Sequence, residues 1–337
     1  MRLIFFCLVP FIFFIGCTER QIRVHFENAA QYQARGQIDS AMAEYRTILS
    51  LNPNTSDAAN ALGILLAQQG QHNQAIHYYH QALTQEPNRI EILFNLGTAL
   101  VATERPDSAV TVYQKIIALD PKNSEAHNSL GAAYAIDGQL DNALKNYQKA
   151  LSLDAQNAGA YNNIGLLYAY QGHFQNAVSY YQKAIQHRPN FADAHNNLGS
   201  AYAEMEQFEK AIASFEQALL HKPDYPLARN NLSTAKTLLT EKQHRQAAGE
   251  MRVRHIVVTT ETEAQNLIAQ LQNGAAFETL AKQHSRDPSS RFGGDIGGFL
   301  PGTLMPEFEK AVQKTPVGKI GGPFKTAAGY HIIQRIY

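Results

Sequence analysis

Four kinds of residue recur in this chain every 34 positions, and that period limits the fold more than anything else in the sequence. Glycine recurs as Gly63, Gly97, Gly131, Gly165 and Gly199, and alanine as Ala41, Ala75, Ala109, Ala143, Ala177 and Ala211. An aromatic series runs Tyr45, Tyr79, Tyr113, Tyr147, Tyr181 and Phe215, and a proline series Pro53, Pro87, Pro121, Pro189 and Pro223, with Ala155 in its one gap. A fixed period of this length marks stacked units, none of which can bury its apolar face without a neighbour. Small residues let paired helices approach, the aromatic ring is expected to fill the gap between units, and proline stops a helix. Gly36, Gly70, Gly138 and Gly172 fall where two helices of a unit would turn.

The period and its residues resemble the tetratricopeptide repeat, a helix-turn-helix unit. The repeats expected are 22–55, 56–89, 90–123, 124–157, 158–191 and 192–225. "ARNNLSTAK" at 228–236 then echoes "AHNNLGSAY" at 194–202 without a partner, so 226–245 is read as a capping helix and linker. The fold expected is multidomain: an all-α solenoid of six repeats and a cap, followed by a small α+β domain with an antiparallel sheet. The resemblance implies a concave groove lined by the first helix of each pair. Its fifth positions here are Asn60, Phe94, Asn128, Asn162, Asn196 and Asn230, and a row of asparagines can hold an extended peptide backbone. Sixth-position asparagines follow at Asn95, Asn163, Asn197 and Asn231, for which bonding between helices is the plainer reading. Groove lysine and arginine are sparse, so a clamp for a terminal carboxylate is not expected. His77 and His80 have helical i, i+3 spacing but no further converging ligands, and no metal or cofactor is expected.

Past residue 250 the period is lost. "MRVRHIVV" reads as a strand, 261–272 as an amphipathic helix and "FETLAKQHS" as a second; a Gly-rich loop, a short helix near 306–313 and two closing strands follow. The last stretch, "KTAAGYHIIQRIY", places Tyr330 and Ile332 on one strand face and His331, Ile333 and Arg335 on the other, so a histidine sits on a mixed face.

Taken in order, "RHIVV", "FETLAKQHSRDPSS", "GGDIGGFLPGTLMPEFEKAV" and "PVGKIGGPFKTAAGYHII" resemble the parvulin-type (PpiC-like) peptidyl-prolyl cis-trans isomerase domain over essentially all of 251–337. The resemblance implies that His255 and His331 are the histidines of the first and last strands, and that Asp287 is the loop position held by Cys or Asp. Thr326 precedes the last strand, and Ile296, Leu304 and Phe308 form the proline pocket. It further implies that those strands are neighbours, so that the two imidazoles meet on one face in a hydrogen-bonded chain with Asp287 and Thr326. That chain either sets the field at the reacting carbonyl or only stiffens the sheet under the cavity. Leu304 replaces the usual Met, with Met305 beside it, and "IVVTTETEA" lacks the basic cluster of phosphate-directed relatives, so phosphate specificity is not expected.

Residues 1–17, "MRLIFFCLVPFIFFIGC", have a basic start and 13 apolar residues, which is short for a membrane span and suited to an export signal. "FIGC" resembles a bacterial lipobox, which makes Cys17 the expected lipidated residue and membrane anchor; a plain secretory signal is the other reading. Thr18 rather than Asp after the cysteine favours an outer membrane facing the periplasm, or the outer face of the cytoplasmic membrane in a single-membrane bacterium. With 29 basic and 29 acidic residues and no basic run, nucleic acid is not an expected partner. The function expected is an envelope foldase acting non-covalently on X-Pro bonds of exported, unfolded polypeptides, with the solenoid recruiting clients or a partner. The alternatives are an adaptor or holdase without significant catalysis and an assembly lipoprotein docked by its repeats.

Overall fold

A computed structural model describes residues 9–337, with side chains from residue 18 onward; the expected leader and the Cys17 side chain lie outside what is described. Among the described residues no helix is long and apolar enough to cross a membrane. The chain divides into two compact units, Met1–Asn231 and Leu232–Tyr337.

The first unit is six antiparallel helix pairs: α1 (Val9–Ala34) with α2 (Ile38–Leu51), α3 (Ser56–Gln68) with α4 (His72–Gln85), α5 (Ile90–Ala102) with α6 (Pro106–Leu119), α7 (Ser124–Ile136) with α8 (Leu140–Leu153), α9 (Ala158–Tyr170) with α10 (Phe174–His187), and α11 (Ala192–Glu204) with α12 (Phe208–His221). A long helix, α13 (Pro226–Ala247), follows and carries the polar stretch from Glu241 to Ala247 in helical form. Prolines 53, 87 and 223 each stand two residues past the last residue of α2, α4 and α12, where the missing N–H ends the helical ladder.

The glycine and aromatic series turn out to be one device. A Cβ built on Gly165 would lie 2.6 Å from the ring of Tyr181, and Gly63, Gly97, Gly131 and Gly199 meet the aromatic residue 16 positions later in the same way. Each ring is therefore seated on the glycine of its own repeat. This contact within the repeat adds to the expectation that the ring fills the gap between units. With Tyr181 1% exposed, the ring has no free side to which it can yield.

The fifth-position asparagines are not an open row. Asn60, Asn128, Asn162 and Asn196 are between 3% and 7% exposed. Each gives its side-chain oxygen to the sixth-position amide of the next repeat: Asn95 donates to Asn60 at 3.0 Å, Asn163 to Asn128 at 2.9 Å, Asn197 to Asn162 at 3.0 Å and Asn231 to Asn196 at 3.0 Å. Phe94 packs against the solenoid core, and only Asn230 is exposed. The row expected to line a groove is thus an inter-repeat ladder, because a buried amide must find its partner inside the protein.

The second unit continues with β1 (Met251–Val258), α14 (Glu261–Gln272), α15 (Phe277–His284), a 3₁₀ turn (Pro288–Phe292), β2 (Asp295–Phe299), α16 (Pro306–Lys314), β3 (Ile320–Thr326) and β4 (Gly329–Arg335). The strands form one antiparallel sheet in the order β2-β1-β4-β3. Alternation sends Ile256, Val258 and Ile332 to the side of α14 and α15, where Leu267, Phe277 and Leu280 cover them. Met251, Val253 and Ile333 go to the other side with Phe308 and Val312 of α16. Both faces of β1 and β4 are therefore covered, and the mixed face holding His331 is as buried as the apolar one.

Two measurements check this packing. Asn162→Ala removes a buried amide and leaves the half-buried Asn197 amide without its acceptor, and is expected to destabilise the chain by about 1–3 kcal/mol in urea unfolding. Gly165→Ala is expected to cost a similar ~1–3 kcal/mol through overpacking against Tyr181; a neutral result at either position would contradict the contact described.

Candidate functional site

β1 and β4 run side by side, with Val257 opposite His331 and His255 opposite Ile333. The two histidines therefore lie two residues apart diagonally on one face, with ring centroids 5.8 Å apart at 45°. Both are buried, His255 at 7% and His331 at 3% exposure.

Each imidazole has its own partner. His331 Nε2 lies 2.6 Å from Thr326 Oγ1, which also accepts the Ala328 N–H and so fixes the β3–β4 turn. His255 Nε2 lies 3.0 Å from Asp287 Oδ1. The Nδ1 atoms of both rings have no hydrogen-bond partner, so the expected continuous chain is instead two pairs whose rings touch. The diagonal offset is the reason: it brings ring faces together rather than ring nitrogens.

The segment before Asp287 is stitched to the end of β1. Ser285 Oγ accepts the Val257 N–H at 3.1 Å, and the Arg286 N–H donates to the Val257 carbonyl at 2.9 Å. Asp287 then caps the 3₁₀ turn, accepting the Ser289 N–H at 2.8 Å. Burial opposes ionisation of Asp287, but the bonds from Ser289 and the neighbouring His255 outweigh it and hold the carboxyl below its usual range. Gly294 completes this corner with φ +84°, where a Cβ would lie 2.5 Å from the His255 carbonyl, so only glycine lets the loop pass so close to β1.

His331 is shifted the other way from a charged histidine. Burial first, then the adjacent His255, push its pKa down to about 4, against a smaller upward pull from Asp287. It is therefore neutral near pH 7 beside an ionised carboxylate.

An aromatic group closes the floor. Phe308, 4% exposed, sets its edge against both imidazoles, at 5.7 Å from each, and lies 5.8 Å from Phe324. Phe324 in turn stacks on His331 at 5.1 Å and 13°. Above this floor is a cavity of 390 Å³ with Ile296, Phe299, Leu304, Met305 and Phe308 on its apolar side and His255, Asp287 and His331 on its polar side. Thr326 does not line it and acts through His331. The expected residues Ile296, Leu304 and Phe308 come together here; Phe299 and Phe324 are not among the expected residues, and Met305 is there only as the neighbour of Leu304, although the aromatic in "GPFK" is a signal for Phe324.

Two carboxylates hold the cavity wall in place. Glu309, 8% exposed, accepts the Gly302 N–H at 2.9 Å and the Leu304 N–H at 2.8 Å, pinning the loop that presents Leu304 and Met305. Those backbone donors keep its carboxyl below the usual glutamate range. Asp295 receives Arg252 Nη2 at 2.8 Å and the Gly297 N–H at 2.9 Å, fastening the strand of Ile296 to β1.

A family model of the PPIC-type PPIase domain matches residues 253–336. Tetratricopeptide-repeat models match 27–90, 66–133, 133–172, 158–191 and 192–225. The foldase protein PrsA 2 of Bacillus cereus is 48% identical over 86 residues, covering 25% of this chain and 30% of that protein. The chaperone SurA of Pseudomonas syringae pv. tomato is 38% identical over 110 residues, covering 28% of this chain and 26% of that one. The chain thus spans about a third or less of the length of these relatives. Among solved structures, a tetratricopeptide repeat protein from Parabacteroides merdae superposes with a TM-score of 0.55 at 18% identity, covering 68% of this chain and 90% of that chain, a likeness of fold.

Two outcomes test the site as built. In an NMR titration the His331 ring is expected to stay neutral from pH 8 down to near pH 4. Because its folded value lies below the ordinary ~6.5, the stability it contributes is present above that value and is lost as pH falls toward 4. Glu309→Ala is expected to raise amide hydrogen exchange at Gly302 and Leu304 at least roughly ten-fold, since each loses its acceptor; unchanged exchange would show that the loop is held by other means.

Proposed function

We propose that this chain, in which tetratricopeptide repeats precede a PPIC-type peptidyl-prolyl isomerase domain, turns X-Pro bonds of unfolded exported polypeptides. The single observation that carries the reading is the 390 Å³ cavity with an apolar cup on one side and an ionised carboxylate beside a neutral imidazole on the other.

Rotation about a peptide bond meets a barrier of about 20 kcal/mol because it breaks amide resonance. Resonance also places negative charge on the carbonyl oxygen. Ile296, Leu304 and Phe308 grip the pyrrolidine ring, while Asp287 stands on the carbonyl side. A carboxylate there disfavours the planar, more negative oxygen, and an apolar cup disfavours water that would stabilise it. Both effects lower the twisted state relative to the planar one. His255 orients Asp287, and Thr326 orients His331, whose neutrality avoids a cation that would strengthen the planar form. No bond is made or broken, and no nucleophile is required.

The solenoid is read as the client-holding part. Ile136, Leu166 and Tyr170, 55%, 44% and 81% exposed, surround a second apolar hollow between α7 and α9, and an extended, proline-containing client of the isomerase domain fits that chemistry. Linkage on one chain raises the local concentration of client prolines. Lipid attachment at Cys17 and placement in the bacterial envelope complete the proposal, on the strength of the "FIGC" resemblance.

The test follows cis-to-trans conversion of a short proline peptide by the purified chain. Phe308→Ala is expected to lower kcat/KM by roughly ten- to a hundred-fold, the worth of one buried aromatic contact. Leu304→Ala, at a side chain already 38% exposed, is expected to lower it several-fold without moving the melting temperature. Equal rates with and without protein would leave the holdase alternative in possession.

A further inference from the structure

We infer that Arg286 makes the site selective for an acidic residue immediately before the proline. The inference rests on the isomerase reading above. Arg286 lines the same cavity as Asp287, and its main chain is fixed by the N–H bond to Val257, so its side chain starts from a rigid point at the rim. The side chain is exposed, and among the described residues its guanidinium has no acidic partner.

The surrounding charges point the same way. Asp287, the neighbouring anion, is turned inward to His255 and to the Ser289 N–H. Glu278 is paired with Arg254 at 2.7 Å. Lys282 and Arg291 flank the segment and are both exposed, so the rim between α15 and the 3₁₀ turn presents positive charge. The side of the cavity is informative too. In the isomerase reading the carbonyl of the residue before proline lies on the Asp287 side, and Arg286, next in the chain and lining the same cavity, is then the cation beside that residue's side chain. A carboxylate there meets a fork of N–H donors, whereas a lysine meets like charge.

The experiment uses the full chain and three peptides that differ only in the residue before proline, Glu, Ala or Lys, at low and high salt. Turnover and peptide affinity are both measured, with wild type and Arg286→Glu. Expected in wild type is Glu above Ala above Lys, by roughly two- to five-fold per step, the range of a solvent-exposed ion pair, and compressed by salt. Expected in Arg286→Glu is the reverse order, read as ratios to the Ala peptide. Equal values for the three peptides in wild type, or the same order in both proteins, would overturn the assignment. If no peptide is turned over, the isomerase reading fails, and the affinity order alone decides the role of Arg286.

Discussion

The antiparallel ladder between β1 and β4 is the constraint on which the second unit depends. It joins the first strand of the domain to its last, so His255 and His331, 76 positions apart, come to one face. The rest of the site is referred to that ladder: Asp287 through the Val257 bonds, Thr326 through the turn into β4, and Ile296 through the pair of Asp295 with Arg252 of β1. Phe308 then seals the imidazoles from beneath, and its helix is held by Glu309 at one end and by Arg335 bonding to the Thr315 carbonyl at the other. A slip of β4 by one residue against β1 would send His331 to the face of α14 and α15, which is filled by leucine and phenylalanine, and part it from His255.

That arrangement tolerates a costly combination, a carboxylate and two histidines among aromatic rings. Burial raises the Asp287 pKa, and the bonds from Ser289 with the neighbouring His255 more than offset it. Burial and His255 both lower His331, and the smaller upward pull of Asp287 does not restore its charge. One environment therefore yields an anion and a neutral ring side by side, and the difference arises from which backbone donors reach each group.

Much of this was legible in the residues. The 34-residue series exposed the solenoid because stacked repeats must reuse the same packing solution, and "GGDIGGFLPGTLMPEFEKAV" carried the pocket through its resemblance to the parvulin-type domain. Less legible were contacts that cross long separations. Asn162 and Asn197 were separated into a ligand row and a structural row, although the two sets bond to one another. Alternation along β4 identified a mixed face but could not say that α16 covers it. The direct bond expected between His255 and His331 needed the exact diagonal offset, which the order of residues alone does not contain. Glu309 looked like an ordinary first-turn acid of a helix; only the path of the loop turns it into an anchor.

The asparagine ladder has a bearing on how the array comes apart. Each rung ties a repeat to its successor, and the last rung is supplied by Asn231 on α13, beyond the sixth repeat. From the fourth repeat to α13 the rungs are continuous, so loss of the fifth or sixth repeat strands an oxygen on the unit before it and a donor on the unit after it; Phe94, at the fifth position of the third repeat, breaks the series ahead of them. That stretch therefore melts as a block of adjoining repeats instead of fraying one helix at a time, and a shortened version that stopped at residue 225 would begin its life with an open seam at Asn196.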